Sequence, residues 1–434
     1  MLRSAAVAGV SALAAGAGCR VWGNADVPPS GDHKLLVTLQ LDGGADVTQL
    51  CDPKVNVQGE PKINHWADSL DPGSTGTIQF APVADNEWLF HTFGRDMLVI
   101  NGVDSQTNSH ETGRLFNWTG SNAEGLPSLT ALHAASLGAD LPLAYTVFGG
   151  HSRTHGLVTY NRFDDISRIS SLVQPNVDSW SGEEKRNNRE LKAAQQLVEE
   201  RVNRVFSSDG LTPRQRQSLL RYEDGVYGRE GLRALADILP GQDEFAPGEE
   251  FYGGGYNFWS NLKQQIQGAM LIFKSGLGVS ADLALNGFDT HEQHDEAHEA
   301  LLFHLADVLE FFWDYAEQQG LAERITLVIG TDFGRTNYYN DGNGKDHWPI
   351  GSYIIMERNA PWGNRVVGAT DELHFAKAVD PKTLKENRNG VVLTPAHVHA
   401  ALRDHLGLSA IAEESGFGLN QAEVLPLFDP FLGS

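Results

Sequence analysis

Ile325-Thr326-Leu327-Val328-Ile329-Gly330-Thr331-Asp332-Phe333-Gly334-Arg335-Thr336 is the stretch from which the fold can be read. Its first seven residues form a charge-free, β-prone run that reads as a buried strand. A carboxylate ends the run, a Phe-Gly pair turns the chain, and a cation follows. In open α/β sheets ligands bind outside the carboxyl ends of strands, so Asp332 stands where chemistry is usually done. Working outward, Leu35 to Leu41 is a second such run, closed by Asp42-Gly43-Gly44-Ala45-Asp46. Ser280 to Leu285, with Asp282 inside it, reads as a third strand and leads into Phe288-Asp289-Thr290-His291. Met97 to Asn101 and Leu141 to Phe148 read as further strands, and helical segments lie between. The pattern predicts an α/β fold.

Asp289 and His291 sit two apart in an extended segment, so both side chains face one way and both can reach one ion. The helix after them carries a core-facing stripe at Leu301, Leu305, Val308 and Phe312, on which His294 and His298 read as packed or capping residues. The H-E-x-x-H spacing of zinc peptidases is absent, which disfavours that class. A third cluster, Gly344-Lys345-Asp346-His347-Trp348-Pro349, follows a Gly/Asn-rich loop. Asp42, Asp46, Asp289, His291, Asp332, Asp346 and His347 together make a mixed oxygen and imidazole donor set. Such a set suits a divalent metal, Zn or Mn more naturally than Ca or Mg. Arg335 is a planar fork suited to a tetrahedral oxyanion. The polar stretch Gly102 to Gly113 offers Ser109 and Thr112 as nucleophiles and His110 as a base or ligand. His151 and His155 read as loop residues.

The chain has 434 residues, 41% of them hydrophobic, which is enough for a sizeable core. Its formal charge of -23 excludes nucleic acid as a natural partner and a polybasic grip on anionic lipid. Met1 to Gly18 reads as the apolar part of an export signal, too short for a membrane span, and no other segment approaches one. Cys19 is a candidate for lipid anchoring, and a bridge to Cys51 is arithmetically open. Residues 20–32 read as a linker and 33–434 as a single domain. Within it, 183–240 reads as a helical insertion covering one face of the sheet, with a helix start near Thr212-Pro213. Residues 241–256 read as a flexible acidic loop, and Phe258 to Ser275 as a helix.

Asp289-Thr290-His291, Asp332-Phe333-Gly334-Arg335-Thr336 and Gly344-Lys345-Asp346-His347-Trp348 resemble the signature of the bacterial family called domain of unknown function 1501. Gly43-Gly44, His110, Gly368 to Asp371 and Leu393 to Ala396 extend the likeness across most of residues 35–408. One departure is Asp332, which stands where the family usually has Glu. That family is grouped with the alkaline phosphatase and sulfatase superfamily. The resemblance implies an alkaline phosphatase-like fold: a mostly parallel central sheet sandwiched between helices, with two metal positions at the strand ends. Asp289, His291 and His347 would form the first position. Asp42, Asp332 and a hydroxyl near Thr112 would form the second, and Arg335 would hold the transferring group. The expected function is an exported, periplasmic or secreted two-metal hydrolase of phosphate or sulfate esters, acting on a small-molecule or glycan ester. The alternative is a non-catalytic metal- or anion-binding protein on the same fold.

Overall fold

The computed structural model describes residues 33–178, 183–207, 210–212, 214–216, 218–219, 232–419 and 422–432. Residues 1–32, with the expected export signal, linker and Cys19, lie outside them, as does Pro213 at the expected helix start. The strands of the main sheet are, in chain order, Leu35–Asp42 (β1), Met97–Asp104 (β2), Tyr145–Val147 (β3), Tyr160–Arg162 (β4), Ser280–Asn286 (β5), Ile325–Thr331 (β6), Ile350–Met356 (β7) and Arg365–Val367 (β8). They lie side by side in the order β8-β2-β7-β6-β1-β5-β3-β4. β1 runs parallel to both β5 and β6, β3 is parallel to β4 and β5, and β8 is parallel to β2. β7 alone runs against the rest, antiparallel to β6 and β2. The sheet is therefore mostly parallel, and the carboxyl ends of β1, β2, β3, β5 and β6 share one edge. β7 enters the sheet from that same edge, which brings the loop before it to the same place.

Strand alternation sorts β1 between two cores. Leu35, Val37, Leu39 and Leu41 pack into the larger apolar cluster, with Ile266 and Phe273 of Leu262–Lys274 (α3) and Leu301, Leu305, Val308 and Phe312 of His294–Gln318 (α4). Leu36 faces the other way. It joins Trp118 of His110–Thr119 (α1), Leu132 of Leu129–Leu137 (α2) and Leu402 of Pro395–His405 (α5). α5 starts where Thr394 caps it reciprocally with His397 and Pro395 takes the first turn, where no N–H is needed. The helices thus cover both faces of the sheet, the architecture expected from the runs of apolar residues. Among the described residues no helix is long and apolar enough to cross a membrane.

Three expectations for the flanking segments change. Glu249–Gly253 and Tyr256–Ser260 form an antiparallel hairpin where a flexible loop and the start of a helix were expected. Gly253-Gly254-Gly255 supplies the turn, with left-handed backbone at Gly254 and Gly255, and alternating aromatics flank it. Within 183–240 the helix Asn188–Phe206 forms as expected, with Val202 its one buried side chain among those described, and it is Leu235 of the helix Arg233–Ile238 that reaches the larger core. The strand expected over Leu141 to Phe148 is limited to Tyr145–Val147.

One buried acid sits inside the sheet. Asp282 lies opposite Thr38 in the β1–β5 register, and accepts hydrogen bonds from Thr38 Oγ1 at 2.7 Å and from the Tyr145 hydroxyl. Burial pushes its carboxyl up to about 6, against the pull of those hydroxyls. A raised folded-state value favours the protonated form. The associated stability is present below the ordinary value of 3.8 and is lost as pH rises through about 6. The shift corresponds to about 3 kcal/mol. Denaturant midpoints of the native chain and Asp282→Asn are therefore expected to diverge with pH. The native chain should weaken relative to the variant between pH 4 and pH 7, and an unchanged gap would count against the neutral buried acid.

Candidate functional site

The carboxyl edge of the sheet carries the functional groups because the turns there are forced into close contact. Asp42 is the last residue of β1, and Gly43 follows with φ +117. A Cβ on Gly43 would come within 2.6 Å of the Asp289 backbone nitrogen, so only glycine lets the turns after β1 and β5 touch. Gly344 does the same for the loop before β7, since a Cβ there would fall 1.7 Å from the His291 carbonyl oxygen. A two-residue ladder pairs Arg335 with His347 and fixes that loop against the turn after β6.

Three donor atoms meet at this edge. His291 Nε2 lies 3.0 Å from His347 Nε2, and Asp289 Oδ1 lies 3.0 Å from the first and 3.2 Å from the second. The other ring nitrogens settle the tautomers. His347 Nδ1 is 2.8 Å from the Asn108 carbonyl, which can only accept, so Nδ1 carries the hydrogen. His291 Nδ1 donates to Asp346 Oδ1 at 2.8 Å. With both rings neutral, the two Nε2 atoms then point bare lone pairs at one another beside a carboxylate oxygen. Such an arrangement is repulsive unless a cation lies between them. Tetrahedral ligands about 2.0–2.1 Å from Zn stand roughly 3.3–3.4 Å apart, close to the spacing seen here. The donor set therefore fits a divalent metal. Asp346, expected as a ligand, instead holds His291 from behind, and that bond lowers its own carboxyl below the usual range.

His110 opens α1 beside these atoms. Its Nδ1 donates to Asp332 Oδ2 at 2.6 Å, and its Nε2 lies 3.5 Å from Asp289 Oδ2. His110, Asp289 and His347 also place one donor atom each within 4.8 Å of one another. Hydrogen bonds to Asp289 and Asp332 push the imidazole up to about 9. Burial works against ionisation of Asp289, but the bonds from His110 and Arg335 outweigh it and hold its carboxyl well below the usual range. The site is open to solvent: the Asp289 and His291 side chains are 47% and 40% exposed.

Several expected roles are corrected by their surroundings. Arg335 is fully buried and spends its donors on the scaffold. Its Nε donates to the Gly44 carbonyl at 2.8 Å, Nη1 to the Lys345 carbonyl at 3.0 Å, and Nη2 to Asp289 Oδ1 at 2.5 Å and to the Gly43 carbonyl. It braces the site and has no fork left for a substrate. Asp46 is also fully buried and is no metal ligand. Its Oδ1 accepts from Thr48, and its Oδ2 meets His294 Nε2 at 3.0 Å and Lys345 Nζ at 2.6 Å. His294 and His298 are buried in the same cluster, packed as expected, with the Asp46 backbone N–H donating to His298 Nε2 at 2.9 Å.

Thr112 is corrected by helix geometry. His110 starts a helix, and the residues of α1 that meet Asp332 are His110, Gly113, Arg114 and Asn117. Thr112 lies about 200° round the helix from His110, on the side away from that contact. It cannot serve as the nucleophile without the helix unwinding.

Asp42 and Asp332, expected to hold a second metal, are paired with protein donors. Asp332 Oδ1 accepts from the Gly43 N–H at 3.0 Å, and its Oδ2 accepts from His110. Asp42 Oδ1 accepts from Arg114 Nε at 2.5 Å, and the same Nε lies 3.5 Å from Asp332 Oδ2. Burial and the neighbouring Asp332 charge raise the Asp42 carboxyl despite Arg114. Arg114 is a residue at this site that the sequence did not single out. The signal was its place four after His110, one turn along a helix that a polar loop was expected to replace.

Residues 261–402 match the family model described as Protein of unknown function (DUF1501). That span holds Asp289, His291, Asp332, Arg335, Asp346 and His347, but not Asp42, His110 or Arg114. No curated protein matches the sequence. Among solved structures, similarity is found to one from work on glycosaminoglycan metabolism by Bacteroides thetaiotaomicron. It has 9% identity and a TM-score of 0.40, over 87% of this chain and 74% of that one. Ps i-CgsB in complex with a neocarrahexaose has 8% identity and a TM-score of 0.40, over 91% and 76%. Phosphonate monoester hydrolase of Agrobacterium radiobacter has 12% identity and a TM-score of 0.33, over 86% and 74%. None of these similarities is close enough to assign a reaction.

Proposed function

We propose that the protein is an exported metal-dependent hydrolase of phosphate or sulfate esters. The observation that carries this reading is the meeting of His291 Nε2, His347 Nε2 and Asp289 Oδ1 within 3.0–3.2 Å, with both imidazoles oriented from behind. A divalent ion held there, Zn or Mn by the chemistry of the donors, would supply Lewis-acid polarisation of an ester oxygen. The chain's own groups do the rest. Arg114, partly exposed and permanently charged, faces the ester oxyanion. Asp332 fixes His110 so that Nε2 faces the reacting space, where the imidazolium, held charged by its two carboxylate partners, donates its proton to the leaving ester oxygen. The open rim admits a small ester or the end of a glycan chain, and the apolar Met1 to Gly18 stretch supports export to the periplasm or beyond.

Chelator-treated protein, reloaded separately with Zn, Mn, Ca or Mg, should be assayed on phosphomonoester, phosphodiester and sulfate-ester substrates. At least one class is expected to turn over, with activity lost on chelation and restored by Zn or Mn. His110→Ala should lower kcat by roughly 10²- to 10⁴-fold while metal content stays unchanged. Failure of every ester class alongside tight binding of inorganic phosphate or sulfate would replace this reading with a non-catalytic anion-binding one.

A further inference from the structure

We infer that the site takes one divalent ion per chain, at Asp289, His291 and His347, and that the Arg114 guanidinium occupies the place of a second ion. This rests on the metal-dependent reading above and deepens it. A second ion would need Asp42 and Asp332, and three of their four carboxylate oxygens already accept from protein donors. Both Asp332 oxygens accept hydrogen bonds, one from the Gly43 N–H at 3.0 Å and one from His110 Nδ1 at 2.6 Å. Asp42 Oδ1 accepts from Arg114 Nε at 2.5 Å. His110, the imidazole nearest that half of the site, spends one nitrogen on Asp332 and turns the other to Asp289, 3.5 Å away. Arg114 Nε, 2.5 Å from Asp42 Oδ1 and 3.5 Å from Asp332 Oδ2, already sets a permanent positive charge between the two carboxylates, so the donors at this half do not fit an ion.

Arg114 is held there by the backbone, not by chance of a long side chain. Gly113 lets α1 press on the turn after β6, since a Cβ there would lie 2.6 Å from the Asp332 carbonyl oxygen. Asn117 Nδ2 ties the two together, donating to the Asp332 carbonyl at 2.7 Å and to the Gly113 carbonyl at 2.9 Å. Arg114 departs from this clamped turn with its Nε on Asp42, and its side chain is 36% exposed, so an oxyanion can approach the guanidinium from solvent. Guanidinium does not deprotonate in proteins, so the charge at this half is permanent and independent of metal supply. A planar fork also matches two oxygens of a phosphate or sulfate group.

The test is a metal count on the full chain that needs no substrate. Chelator-stripped protein is titrated with Zn by calorimetry, and metal bound after dialysis is measured by mass spectrometry. One equivalent per chain is expected, none in His347→Ala, and still one in Asp42→Asn. Two equivalents in the native chain, falling to one in Asp42→Asn, would overturn the inference and leave the hydrolase reading standing. No bound equivalent would overturn both. One equivalent without ester turnover would retain this inference while the hydrolase reading fails. A native count of one upholds the inference even if a variant does not fold, and a second equivalent counts against it only where Asp42→Asn or Asp332→Asn loses it, because Glu249, His304 and Asp307 form a separate group of possible ligands.

Discussion

Asp289→Ala and His347→Ala protein is expected to take up no divalent ion and to show no ester hydrolysis, while Asp346→Ala keeps a weakened site. The three residues lie within one cluster, yet their positions differ in kind. Asp289 Oδ1 and His347 Nε2 point at the shared centre, 3.2 Å apart, and losing either leaves too few donors for an open catalytic site. Asp346 touches only the far nitrogen of His291, at 2.8 Å, and Asn340 supports it at 3.1 Å. Removing such an orienting carboxylate typically lowers metal affinity by about 10- to 100-fold. Competition with a chromogenic chelator separates the two behaviours. Full occupancy in Asp289→Ala or His347→Ala would remove the metal assignment. An Asp346→Ala variant as empty as those two would return Asp346 to the ligand set.

The edge of the sheet was legible because apolar runs are a local signal. β1 and β6 each appear as an apolar, β-prone stretch, β5 as one broken by Asp282, and each ends on an acid or within three residues of one. Parallel strands send those acids to one edge, so proximity of Asp42, Asp289 and Asp332 follows from strand direction alone. Which way each side chain turns there does not. Arg335 looked available because it stands three residues after Asp332. What buries it is the Gly43-Gly44 turn, nearly three hundred residues earlier, whose carbonyls it caps. Asp46 was misread for the same reason, since its partner Lys345 is 299 positions away.

Thr112 and Arg114 exchanged importance through a single undetected boundary. With a loop after β2, every hydroxyl in Ser109 to Thr112 can reach the edge. With a helix beginning at His110, the 3.6-residue period selects His110, Gly113, Arg114 and Asn117 and rejects Thr112. The hairpin Glu249–Gly253 and Tyr256–Ser260 was obscured similarly: its acidic and glycine content outweighed the alternation of Phe251, Phe258 and their exposed neighbours.

Lys345→Met is expected to be among the most destabilising single substitutions in the chain, at about 3–5 kcal/mol, because it strands a buried charge. Lys345 is fully buried, with Nζ donating to Asp46 Oδ2 at 2.6 Å and to Asn64 Oδ1 at 3.0 Å. It also lies 5.1 Å from the centre of the Tyr339 ring. Burial opposes ionisation of Asp46, but Lys345 and His294 overcome it and hold the carboxyl well below 3.8. A depressed folded-state value means stability present above 3.8 and lost only as pH falls through that lower value. Without Lys345 that advantage disappears, and the lone carboxyl takes up a proton instead. The gap in denaturant midpoint between the native chain and Lys345→Met should therefore be widest near neutral pH and narrow on acidification. Asp46→Asn added to Lys345→Met removes the stranded charge, so the double variant should recover much of the loss. The pair also bears on the site, since the carbonyl of Lys345 receives Arg335 Nη1 and its neighbours are Asp346 and His347. Metal affinity should return with stability in the double variant. A cost below about 1 kcal/mol for Lys345→Met, of the size measured for exposed pairs, would show that this charge is not stranded.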